Sequence, residues 1–215
     1  MPSKTGSHMS AHSSQLGQPT ARGRQTQAAI DAAARAVIAR KGILAATIAD
    51  IAAEAGRSTA SFYNYYDSKE SMLREWALRF RDEANRRAAT VTRHGLSNRE
   101  RAHEAAAAHW RTYRHRLAEM IGVSQLAMVN DDFAQYWAEI CAIPIGFITE
   151  MVKRAQDDGY CTGDDPKLLA EAIVAMFNQF CYVQLSGVGA DPDDEACITT
   201  LSNVFYRAIY CREDS

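Results

Sequence analysis

The chain has 215 residues and 47% hydrophobic content, enough for one large or two modest domains with a real core. A formal charge of −2 argues against indiscriminate nucleic-acid binding, and no uninterrupted apolar run approaches the roughly 20 residues of a membrane span. The polar first 23 residues lack the apolar core of a secretory signal, so a cytoplasmic protein without membrane contact is expected.

The charge is unevenly spread. Residues 1–94 hold 14 Lys/Arg and 8 Asp/Glu, a balance of +6, whereas residues 95–215 hold 10 and 18, a balance of −8. A basic end on an acidic remainder suits a protein that meets phosphates with one end only. Chance segregation on solvated helix faces competes with that reading. Five cysteines, at 141, 161, 181, 197 and 211, show no C-x-x-C and no metal spacing, which points to reduced thiols.

Residues 1–23 are rich in Ser, Gly, Gln and His and read as a disordered arm. Gly6-Ser7-His8-Met9 has the form of a scar left by a cleaved affinity tag. Arg22 and Arg24 supply a basic arm that reaches toward backbone or minor groove. A first helix is expected over 24–41, with Ile30, Ala33, Ala34, Val37 and Ile38 as its buried stripe and Gly42 as its stop.

The next stretch carries the strongest local signals. Thr47 caps a short helix, with Asp50 three residues on, and Ile48, Ile51, Ala52 and Ala55 share one apolar face. Gly56 turns the chain, and Ser58 caps a second short helix whose face Phe62 and Tyr66 share. Two short helices joined by a glycine turn are the pattern of a helix-turn-helix, which sets its second helix in the major groove. A long helix over 68–94 follows, apolar at Met72, Leu73, Trp76 and Phe80. Lys69 sits in its first turn, where the helix dipole disfavours a cation, which suggests an external anionic partner for it; a solvated lysine is the ordinary alternative.

Everything after Ser97 reads as helix: 97–118, 119–129, 131–158 with a kink or break at Pro144, 166–186, and 193–210. The domain division is thus 1–23 arm, 24–67 helix-turn-helix domain and 68–215 helical body, about nine helices and all-α. The last two helices carry wide apolar faces, including Ile173, Phe177, Phe180, Leu201, Phe205 and Ile209. A four-helix bundle with a second copy would cover them; packing inside one chain is the equal alternative.

The run Thr47-Ile-x-x-Ile-Ala-x-x-Ala-Gly56, then Ser58-x-x-Ser-Phe-Tyr63-x-Tyr-Tyr66-x-Ser-Lys69-Glu-x-Met-Leu73, resembles the tetracycline-repressor (TetR) family of bacterial transcription regulators over about residues 26–76. The remainder is similar only in being helical, of fitting length and ending in two apolar helices. The resemblance implies a homodimer that binds palindromic double-stranded operator DNA through its first domain and a small effector through its second. It also implies that Thr47, Tyr63 and Lys69 contact phosphates, and that base readers come from Arg57, Ser58, Thr59, Ser61 and Asn64. Ala60 stands where a glycine is common, and Thr59 replaces a frequent basic or polar residue; both leave the operator open.

Aromatics and methionines between the long helix and the last pair suggest a pocket for a small hydrophobic effector. Its expected lining is Trp110, Tyr113, Met128, Phe133, Trp137, Phe147, Met151, Phe177 and Phe180, with His109 and Arg111 or Arg114 as polar contacts. Ordinary core packing is the alternative for any one of them. His103, His109 and His115 recur every six residues and do not share a helix face, so no metal site is expected. No cofactor loop or catalytic motif is present, and no enzyme activity is expected. The competing reading of the whole chain is a helical protein-interaction module without operator binding.

Overall fold

The computed structural model describes residues 20–88, 95–186 and 191–210, with backbone only for 84–88. The expected arm over 1–19, the last residues of the long helix at 89–94, Gly187, Gly189 and Cys211 lie outside the described residues. The described chain forms α1 (Ala21–Ala45), α2 (Ile48–Glu54), α3 (Thr59–Tyr63), α4 (Lys69–Ala88), α5 (Asn98–His115), α6 (Leu117–Ala127), α7 (Asp131–Asp157), α8 (Pro166–Ser186) and α9 (Asp194–Ile209), and no strand.

Most helices begin where a short polar side chain accepts from the backbone. Thr47 and Asp50 form a full capping box on α2, and Ser97 with Glu100 forms one on α5. Ser68 and Ser71 bond reciprocally at 3.0 Å to start α4. Helix α1 starts three residues before its expected position, because the Thr20 hydroxyl accepts from Gly23 N. Residues 21–23 therefore belong to the helix and not to an arm. In α7, Pro144 removes one backbone donor, yet the helix runs undivided from Asp131 to Asp157.

One continuous core joins the two ends of the molecule. Ile30, Val37 and Ile38 of α1 meet Ile51 and Phe62, then Leu73 and Trp76 of α4, and the cluster continues into α5 to α9. The small first domain is therefore not left to its own marginal core. Its α1 lies along α6, where Arg35 pairs at 3.0 Å with Glu119, a carboxylate only 2% exposed. The same Arg35 guanidinium lies 4.3 Å over the Trp76 ring.

The expected dimer residues are corrected by this packing. Ile173, Phe177, Leu201, Phe205 and Ile209 are all buried inside one chain, and Phe180 is half-buried. Periodicity marks α8 as apolar around more than one face and does not say which face turns inward. The outward stripe is Leu168, Ala172, Ala175, Met176, Gln179, Tyr182 and Val183. By length and composition α8 is apolar enough to cross a membrane, with a mean hydropathy of 1.4, although polar Asn178 and Gln179 interrupt it. Its inner face packs as core through Ile173, Val174, Phe177 and Cys181.

Of the glycines with positive φ, Gly56 and Gly42 take it for different reasons. Gly56 (φ 61) closes the turn after α2, and a Cβ there meets nothing within 4 Å. Gly42 (φ 75) breaks α1, and a Cβ there falls 2.6 Å from Gln125 Oε1. Gly56→Ala is expected to cost about 1 kcal/mol of backbone strain, and Gly42→Ala about 3 kcal/mol, since it also dislodges Gln125. Urea denaturation of the two variants measures the difference; equal losses would show that the Gln125 seat is not structural.

Candidate nucleic-acid interface

The helix-turn-helix is built from local bonds. Helix α2 ends in a Schellman turn: Gly56 N donates to Ala53 O at 3.1 Å and Arg57 N to Ala52 O at 2.9 Å. The Ser58 hydroxyl then caps α3 by accepting from Ser61 N at 3.3 Å, and the two serine hydroxyls lie 3.1 Å apart. Phe62 is fully buried beneath α3. Tyr66 OH donates to Asp31 Oδ1 at 2.6 Å and accepts from Gln27 Nε2 at 3.1 Å, which fastens the end of the motif to α1. Burial, with the Asp31 carboxylate beside it, raises the Tyr66 phenol.

What this leaves facing outward is a compact set. Arg57, Thr59, Tyr63 and Asn64 are exposed, with Tyr63 standing edge-on to Phe62 at 5.8 Å between centroids. Ser58 and Ser61, expected as base readers, turn toward one another in the cap. Thr47 is exposed at the start of α2, beside Asp50. The Asp50 carboxyl is held far below the usual range by the hydrogen bond from Lys41 and then by those from Thr47. Lys41 pairs with Asp50 at 2.7 Å and Arg40 with Glu54 at 3.0 Å, so neither is a free cation.

Lys69 departs from expectation. Its ammonium donates to Ile43 O at 2.7 Å, Ala46 O at 2.8 Å and Leu44 O at 3.4 Å. An ammonium has three donors, and these carbonyls take all three. The anionic partner expected outside the protein is replaced by backbone carbonyls within it.

In the body, most of the expected effector lining packs as core, and none of it borders the two clefts described below. Trp110, Tyr113, Phe133, Met151 and Phe177 are buried, and Trp137 and Phe180 half-buried. His109 stacks on Tyr113 at 5.5 Å and meets Phe177 edge-on at 5.2 Å, while Trp110 and Phe180 lie 6.2 Å apart. Met128, at 84% exposure, and Phe147 lie at the surface and do not line this interior. The reason is position: Met128 follows the last turn of α6, and Phe147 faces outward on α7. Arg114 pairs with Asp191 and Asp194, and the same Asp194 Oδ1 accepts from Trp110 Nε1 at 2.9 Å; Arg111 is exposed.

Sequence reasoning missed a polar track in this core. Asn178 Nδ2 donates to Cys141 Sγ at 3.6 Å, which turns Asn178 Oδ1 toward His109 Nε2 at 3.0 Å and so assigns the proton to that nitrogen. Cys141 borders a cleft of about 480 Å³ between α7 and α8, lined also by Ala138, Ala142, Ile145, Gly146 and Lys167. A second cleft, about 370 Å³, lies between α5 and α9 beside Arg99, His103 and Asn203. Among the described residues no group of His, Cys, Asp and Glu is arranged to hold a metal.

Residues 30–76 match the family model described as bacterial regulatory proteins, tetR family. That match lies within the amino-terminal part alone, so the likeness to the TetR family is a likeness of that domain. It is 30% identical over 129 residues to the HTH-type transcriptional repressor KstR2 of Rhodococcus jostii (strain RHA1), a match covering 54% of this chain and 62% of that relative's length. Two solved structures share the TetR fold across nearly all of their length. A TetR-like transcriptional regulator from Rhodococcus sp. RHA1 is 22% identical, with 89% and 97% of the two chains covered and a TM-score of 0.63. The ketosteroid transcriptional regulator KstR2 of Mycobacterium tuberculosis is 19% identical, with 90% and 97% covered and a TM-score of 0.64.

Desolvation lowers the His109 imidazole to about 4. Its folded pKa is thus below the ordinary value near 6.5, so the unfolded chain binds the extra proton between pH 6.5 and 4. Stability from this group is full above pH 6.5 and is lost as pH falls through that window, by at most about 2 kcal/mol at pH 5. Urea midpoints at pH 7 and pH 5 are expected to fall further for the natural chain than for His109→Gln; parallel losses would contradict the assignment.

Proposed function

We propose that this chain is a TetR-family transcriptional regulator, acting as a repressor, which binds palindromic operator DNA as a homodimer and is released by a small hydrophobic effector. The observation that carries the reading is the outward set on α3 and its turn: Arg57, Thr59, Tyr63 and Asn64 are exposed on a helix whose opposite side is pinned by Phe62 and Tyr66. Asn reads adenine and Arg reads guanine with paired hydrogen bonds, while Tyr63 offers a hydroxyl to a phosphate; the Thr47 hydroxyl donates to Asp50 and meets a phosphate only by exchanging that bond. Exposed Ser58 and half-buried Ser61 shape the start of the reading helix.

The homodimer is supported by the outer face of α8, where Leu168, Ala172, Met176, Tyr182 and Val183 are solvent-facing, and by Val204, exposed on α9. A second copy covers such a stripe by the same helix pair in two-fold arrangement. Effector binding is supported by the α7–α8 cleft, whose Cys141 connects through Asn178 to the His109 aromatic cluster. The resemblance to proteins named KstR2 makes a bulky, largely apolar effector the first class to try.

Selection of duplexes from a random pool by the purified protein tests the reading. An inverted repeat is expected to be enriched, with affinity falling steeply as salt rises; a pool that remains unenriched after repeated rounds would sink it. On the enriched duplex, Tyr63→Phe is expected to weaken cognate and altered sites alike, whereas Asn64→Ala costs about 1–3 kcal/mol at one base position and relaxes preference there. Equal effects of Asn64→Ala on cognate and scrambled duplexes would remove it from the readers. For the dimer, Met176→Glu is expected to yield a folded monomer by sedimentation velocity, and an unchanged dimer would place the interface elsewhere.

A further inference from the structure

The break of α1 at Gly42 frees backbone groups in the segment leading to α2, and two other helices supply their partners. Gln125, near the end of α6, accepts from Ile43 N at 2.9 Å through its Oε1. Its amide lies where a side chain at 42 would stand, with Oε1 and Nε2 at 2.6 and 2.7 Å from the position of a Cβ. Lys69, the first residue of α4, holds the carbonyls of Ile43 and Ala46. The segment is thus gripped at its N–H from the body and at its carbonyls from the connecting helix, immediately before Thr47 opens α2.

We propose that Gln125 and Lys69 are positioning residues for DNA binding, which together set the place of Thr47 and α2 against the rest of the interface. This rests on the DNA-binding reading above. It replaces the phosphate contact that the family resemblance implied for Lys69 with an internal one. Gln125 is the more informative of the two, because it belongs to the body and has its amide committed to Ile43.

Three variants, Gln125→Ala, Gln125→Glu and Lys69→Met, are compared in the full chain at a temperature where each is folded by circular dichroism. The probes are the duplex enriched from the random pool and amide hydrogen exchange of peptides from 43–55 and from α8. Gln125→Ala is expected to weaken the duplex about tenfold, the loss of one net hydrogen bond. It leaves the slope of log K against log salt unchanged, and Gln125→Glu, which keeps the acceptor, restores most of the affinity. Exchange across 43–55 is expected to quicken in Gln125→Ala and Lys69→Met, with α8 unaltered. A salt slope that falls by about 1.8 in Lys69→Met, two phosphate contacts per dimer, would return that residue to the phosphates and overturn the proposal. So would unchanged affinity or unchanged 43–55 exchange in Gln125→Ala. If no duplex is enriched, faster 43–55 exchange still upholds the brace while the DNA-binding reading fails.

Discussion

A helix that stops at a glycine leaves backbone groups in need of partners, and at the end of α1 the nearest water-free solution is supplied by side chains from α4 and α6. That constraint organises the molecule. The residues that follow, 43–47, cannot shift without uncovering those groups. The helix-turn-helix is thereby joined to both of its neighbours at its first turn. A few ångströms of displacement in either neighbour is felt at Thr47.

A second tie runs parallel to it. Glu119 on α6 is almost fully buried and takes Arg35 of α1 at 3.0 Å and Arg116 at 3.6 Å, while Arg116 reaches Glu83 of α4 at 2.6 Å. Glu119 is the buried member and the arginines are partly exposed, so the cost of breaking the group falls on a Glu119 carboxylate left without its partners. Such a group specifies one arrangement of α1, α4 and α6 more than it strengthens it. Gly122 permits the close approach, since a Cβ there would stand 2.8 Å from Leu73 Cδ2. Together these contacts hold the helix-turn-helix end as part of the same packed object as the body.

Much of the first domain is legible in its residues because the signals are local. A capping threonine with an acid three residues on, a glycine at the turn, and aromatics at i, i+4 each act within one or two turns of chain, and the structure places them accordingly. The seat of Lys69 was not legible, for the opposite reason. Its local setting, a cation at a helix start, points outward, whereas the carbonyls that hold it lie 23 to 26 residues earlier in sequence. The faces of α8 were misread because an apolar residue does not record which partner covers it. Gln125 and Glu119 carried a faint signal, polar residues inside the otherwise apolar α6, but their partners lie more than 80 residues away. Effector lining was the least legible. Aromatic composition does not distinguish a filled core from a lined cavity, and Met128 proved to be a surface residue.

In the proposed reading, a two-fold protein grips two equivalent stretches of duplex through α3. Hydroxyl-radical footprinting of the enriched duplex tests that claim most directly. Two protected patches of equal extent are predicted, related by the symmetry of the site and separated by about one helical turn, near 10 base pairs, or a multiple of it. A single asymmetric patch, or protection spread evenly along the duplex, would contradict it.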